Sequence, residues 1–194
     1  MLRWRLPLAL VSAQLGLGGF VFARRLPAAL TAAPSALLLT LLLLAPVASA
    51  VVLALGRRLD RRPEDRSPAG DALVVWLLAF LTGAHVLVLG VVSGALEALQ
   101  PALGLCVAAF LLGLAPLLRR LPWRSPFGLA HPRARADQGA WRRSHLRLAR
   151  ACASSAALSL AVLAIPRHPL LVLALLPVVL TAGVEAWRGR RAPE

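Results

Sequence analysis

Lysine is missing from this chain of 194 residues: all 22 basic side chains are arginine. Acids are scarce, 8 in total, and nearly all fall in loops or at segment ends: Asp60, Glu64, Asp65, Asp71, Glu97, Asp137, Glu185 and Glu194. That scatter leaves no paired carboxylates for acid–base work and no nucleophile beside a base, so the sequence points away from an enzyme. Cysteine is reduced to Cys106 and Cys152, both in or beside apolar segments and without CxxC spacing. They read as buried small hydrophobes. His131 and His145 have no acidic or thiol companion at ligand spacing, so neither a metal nor a cofactor is expected.

What the chain has in abundance is hydrocarbon. Hydrophobic residues make up 59% of it, and the mean hydropathy is +0.74, well above the balance of a soluble domain. A net charge of +14 would suggest nucleic-acid binding in a soluble protein. Here the arginines avoid the long apolar stretches and crowd between them, as residues do that are costly in hydrocarbon and favoured at a cytoplasmic face. The expected partner is therefore a bilayer with anionic headgroups, not nucleic acid.

A spanning helix needs about 20 apolar residues, with about 17 as the minimum, and six stretches approach or meet that. They run from Leu6 to Ala23, Ser35 to Leu55, Ala72 to Val92, Ala102 to Leu118, Ala149 to Ile165 and Leu170 to Trp187. Pro34, Pro101 and Pro169 stand at or before helix starts, where a missing N–H is harmless. Pro46, Pro116 and Pro177 fall inside or near span ends. Arg3, Arg5 and Val21-Phe22-Ala23 would also suit a cleaved signal peptide, but Arg24 and Arg25 would resist translocation, and an uncleaved first helix is the expectation.

With six spans, 19 arginines collect on one face and 3 on the other. The positive-inside rule then places both termini in the cytoplasm. The expected fold is all-α, a polytopic transmembrane helical bundle of six spans, N-in and C-in. It divides into a four-span unit (1–118), an arginine-rich cytoplasmic segment (119–148) and a two-span unit (149–194).

The segment RSPFGLAHPRARADQGAWRRSHLRLAR, residues 124–150, holds the densest polar chemistry. Residues 137–152 read as a helix entering the fifth span, with Asp137 as N-cap. At about 100° per residue, Trp141, His145, Leu148 and Cys152 share one stripe and Arg143, Arg147 and Arg150 lie opposite. Such a helix suits the interface, with tryptophan at headgroup depth and guanidinium groups on anionic lipid. Two readings stay open: an anchor for the fifth span, or a partner-binding surface. Upstream, Pro122, Pro126, Gly128 and Pro132 preclude a long helix, and residues 121–135 read as a folded-back loop.

The spacing Gly128-Leu129, Pro132, Asp137, Trp141 and Ser144-His145, placed after the fourth span, resembles the signature of the SdpI-like family of bacterial membrane proteins. In that family a segment of the form G-[IL]-R-T-P-W-T-L follows the fourth span, then a few polar residues, then W and a T-H or similar pair. The Gly, Leu, Pro, Trp and His positions match without a gap. Ala130, His131 and Arg133 stand where the family has arginine, threonine and tryptophan, and Ala115-Pro116 where it often has Gly-Asn. Leu26-Pro27 also resembles the family's first unit, with AALTAAP replacing its His-Trp and glycine-rich loop. The resemblance implies a multi-pass protein of the bacterial cell membrane that gives immunity to a secreted antimicrobial peptide toxin, in some members also holding a cytoplasmic repressor. It implies a partner-binding set of Gly128, Leu129, Pro132, Asp137, Trp141 and His145, to which the arginine edge adds Arg143.

Other polar groups need partners. Glu185, near the end of the last span, is expected to pair with an arginine of the motif segment. His85 lies inside the third span, where an ionisable group is a functional candidate by default, and equally one that bonds Thr40, Ser49 or Gln14 in packing. Small pairs at Gly90/Gly94, Ser12/Gly16, Ala109/Gly113 and Ser155/Ser159 suit close helix approach. Two other classes remain: a small transporter or permease subunit, favoured if His85, Gln14 and Thr40 line one cavity, and a membrane scaffold, favoured if small-residue faces point outward.

Overall fold

A computed structural model describes the backbone of residues 5–29, 35–59, 67–95, 99–123, 125, 134, 136–163 and 174–190. It describes their side chains apart from residues 22–42, 57–59, 92, 99–100 and 189–190. Gly128, Leu129 and Pro132 therefore lie outside the described residues, as does the Thr40 side chain.

Among the described residues six α-helices follow one another: α1 (Arg5–Ala29), α2 (Ser35–Leu59), α3 (Pro68–Val92), α4 (Leu99–Arg120), α5 (Gln138–Leu163) and α6 (Leu176–Arg190). Among the described residues, three helices are long and apolar enough to cross a membrane: Pro68–Val91, Pro101–Arg120 and Gln138–Leu163. The apolar helices Arg5–Val21 and Leu43–Gly56 are shorter. Among the described residues the chain is thus all-helical, with three helices of the length and apolarity of membrane spans. α6 begins at Leu176, later than the expected start at Leu170, and at 1.5 Å per residue its 15 residues reach about 22 Å.

Polarity is inverted relative to a soluble fold. Leu43, Leu44, Val47, Val51 and Leu55 are exposed along α2, whereas Gln14, Ser49, Ser155 and Ser159 are fully buried. Water does not favour that arrangement, but lipid tails do, since they solvate leucine and leave polar groups to find each other inside.

The boundaries of α3 show why these residues form this helix. Ser67 is the N-cap: its hydroxyl accepts the Gly70 N–H at 3.0 Å, and Pro68 occupies the first helical position, where no N–H is missed. The helix starts a turn before the apolar run because that cap lies in the polar approach. At the far end Gly94 takes φ +73°. Gly94 N–H reaches Val91 C=O at 3.0 Å and Ala95 N–H reaches Gly90 C=O at 2.8 Å, closing a Schellman motif. This corrects the reading of Gly90/Gly94 as a packing pair: Gly94 lies past the last helical residue and ends the helix. Ser155 and Ser159 are buried as a packing pair should be, while Ser12 and Gly16 face outward on α1, as Ala109 does on α4.

Backbone contacts divide the chain into two compact units. The first comprises Met1–Arg57 with Val74–Cys106, the second Arg58–Leu73 with Val107–Glu194. In the first unit α1 and α3 touch at three successive levels. Gln14 Nε2 donates to Thr82 Oγ1 at 2.7 Å, Gly18 faces His85 so closely that an added Cβ would stand 3.4 Å from Nε2, and Val21 packs on Leu89. Both numbers rise together, so the two helices run parallel, which requires the intervening chain to return between them. In the second unit α5 packs against α6, and Ala149, Ala156, Ser155 and Ser159 of α5 are fully buried.

Candidate functional site

The polar end of α5 is built from its cap inward. Asp137 accepts Gly139 N–H and Ala140 N–H, each at 2.8 Å, satisfying two of the donors that open a helix. The expected N-cap is therefore present. Arg143 pairs with the same carboxylate at 3.3 Å, but both side chains are more than half exposed, so the pair adds little stability.

One turn on, Trp141 and His145 stack with ring centroids 4.1 Å apart, and His145 Nδ1 lies 2.9 Å from the Trp141 carbonyl oxygen. The expected stripe holds, since Trp141, His145 and Cys152 are all buried. What covers it differs from expectation. Trp141 is only 3% exposed, so it fills the protein interior and does not sit among headgroups. Part of what covers it is its own helix, the His145 ring lying over the indole.

Glu185 on α6 is the hub. Its carboxylate accepts a hydrogen bond from the Ser144 hydroxyl, one from Arg147 Nη1 at 2.7 Å and one from Arg188 Nη1 at 3.1 Å. Only 2% of Glu185 is exposed, and a carboxylate so enclosed needs several charge-assisted donors. The expected pairing with a motif arginine is thus made by Arg147. Ser144, Arg147 and Arg188 were not singled out as site residues. For Arg147 the signal is the arginine edge of α5, and for Arg188 its place three residues after Glu185 on the same helix.

Before α5, Trp123 Nε1 donates to Ala134 C=O at 3.3 Å; Ala134 is helical, and most of the stretch expected to form a folded-back loop lies outside the described residues. In the first unit, His85 lies beside the Gln14 main chain yet neither ring nitrogen has a hydrogen-bond partner of standard geometry. Gln14 bonds Thr82 instead, and Thr82 Oγ1 donates on to Leu78 C=O at 2.7 Å. His85 is therefore buried without the side-chain bond to Ser49 or Gln14 that packing was expected to provide. Among the described residues no cluster of three or more His, Cys, Asp or Glu side chains is placed to hold a metal ion.

No family model, curated protein or solved structure matches this chain.

Proposed function

We propose that the chain is a six-span protein of the bacterial cytoplasmic membrane, with both termini inside, that acts by binding and confers immunity of the SdpI-like kind against a secreted antimicrobial peptide. One observation carries the binding reading. Asp137, Trp141, Ser144 and His145, four positions of the motif, gather in the first turns of α5, and one of them, Ser144, ties that end to α6 through Glu185. Both Glu185 oxygens are taken up by donors, so the site offers a rigid arginine-edged surface and not a poised base. A cytoplasmic repressor is the natural partner for that edge. The parallel course of α1 and α3 supports the alternation of spans that the six-span layout requires.

Expression in a toxin-sensitive bacterium tests this reading: survival above an empty-vector control supports immunity, and survival equal to it defeats that role. Reporter fusions at the C-terminus should be active only in the cytoplasm, and periplasmic activity would overturn the topology.

A transport role is the second reading, favoured by the buried Gln14 and His85 side chains, which carry polar atoms without partners. Buried polar groups in membrane helices mark solute or proton pathways. Flux through purified protein in vesicles, lost on His85→Leu, would favour it over immunity.

A further inference from the structure

Between α5 and α6 runs an open groove of about 550 Å³. Its two ends differ in chemistry. Arg147, Arg150 and Arg188 line one end together with Glu185. One turn further along stand the hydroxyl residues Ser154 and Thr181, and beyond them the wall is Leu180 and Pro177. From Arg188 to Pro177 the α6 side of the groove covers twelve residues, about 16 Å at the helical rise.

Three guanidinium groups share this end with one carboxylate. Arg147 and Arg188 are drawn to Glu185, which fixes them in place but leaves their outer N–H donors available. Arg150 is exposed. Among the described residues the positive charge at this end therefore exceeds the negative, and it is concentrated at the mouth of a slot whose other end is apolar.

We propose that this groove is a binding site for one acidic phospholipid. Its phosphate meets Arg150 with the outer faces of Arg147 and Arg188, its glycerol ester region meets Ser154 and Thr181, and the start of an acyl chain lies along Leu180. The charge pattern selects this occupant. A zwitterionic lipid brings its own cation to the arginine cluster, and a soluble phosphate gains nothing from the apolar half. Basic pockets between membrane helices take acidic headgroups on the same grounds, and arginine favours phosphate through paired N–H donors. The site is distinct from general attraction of the chain to an anionic surface, because Arg142 and Arg143 carry equal charge on α5 yet do not line the groove.

The experiment uses the full-length protein, delipidated in neutral detergent and titrated with phosphatidylglycerol, with native mass spectrometry counting bound lipids and thermal unfolding reporting their effect. The wild-type protein should retain one phosphatidylglycerol and unfold at a higher temperature with it. Arg150→Ala should weaken that binding about five- to tenfold, and Arg142→Ala should leave it unchanged. Because Arg150 is exposed, its variant keeps the fold, which circular dichroism checks. Equal retention of phosphatidylcholine, equal losses in the Arg142 and Arg150 variants, or binding of glycerol phosphate as tight as that of the lipid would each overturn the proposal.

Discussion

Arg147 Nη1 lies 2.7 Å from Glu185 Oε1, joining α5 to α6 across 38 residues of sequence. Arg147 is 47% exposed at its side chain while Glu185 is 3% exposed, so water screens one partner and not the other. A double-mutant cycle with Arg147→Ala and Glu185→Gln should give a coupling of about 1 kcal/mol, above a surface pair's median and below that of a fully enclosed one. Additive losses in detergent unfolding would mean the two side chains do not act together.

Asp137 carries two backbone N–H donors and Arg143 only its exposed ion pair. Asp137→Ala should cost about 1 kcal/mol and Asp137→Ser much less, since serine caps almost as well. Arg143→Ala should cost less than about 0.5 kcal/mol. The same unfolding assay separates them.

The Trp141 indole N–H is buried without a hydrogen-bond partner, so the ring works through its surface. Trp141→Ala should lose about 3–5 kcal/mol, whereas Trp141→Phe keeps a stacked ring and should lose well under half of that. A phenylalanine variant as unstable as the alanine one would assign the indole nitrogen a structural role.

Gly94 sits in the left-handed region at φ +73°, with open space around the position a Cβ would take. Strain, not crowding, then sets the effect of substitution. Gly94→Ala should destabilise by about 1 kcal/mol, and Gly94→Asn should be milder because asparagine tolerates that conformation.

His85 is 1% exposed and its ring nitrogens lack standard hydrogen bonds. Replacing it with leucine removes two buried polar atoms while keeping most of the volume, and should raise stability by about 1 kcal/mol. If His85 serves the proposed function, His85→Leu should gain stability and lose protection or transport together. A stable, fully active variant would assign His85 to packing.

Several features of this fold were legible in the sequence because single physical constraints govern them. Apolar run length sets where α1 to α5 form, and an aspartate before an amphipathic run sets the cap at Asp137. The periodicity also grouped Trp141, His145 and Cys152 correctly. It could not say what lay against that stripe, because a helical wheel records which residues share a face and not whether lipid or another helix covers it. Trp141 was assigned to the interface for that reason. Gly90 and Gly94 misled for a related one: a spacing of four serves both a helix crossing and a terminating turn, and only the backbone angle separates them. Glu185 could be anticipated as the acid that needs a cation, whereas the orphaned state of His85 depends on where Gln14 points, which no local pattern encodes.

The anchoring of α5 to α6 through one enclosed carboxylate has a mechanical meaning. Sliding either helix by a turn, about 5.4 Å, would carry Glu185 away from the Ser144 hydroxyl and the Arg147 guanidinium, so a single register of the pair is favoured even where a groove keeps the helices apart.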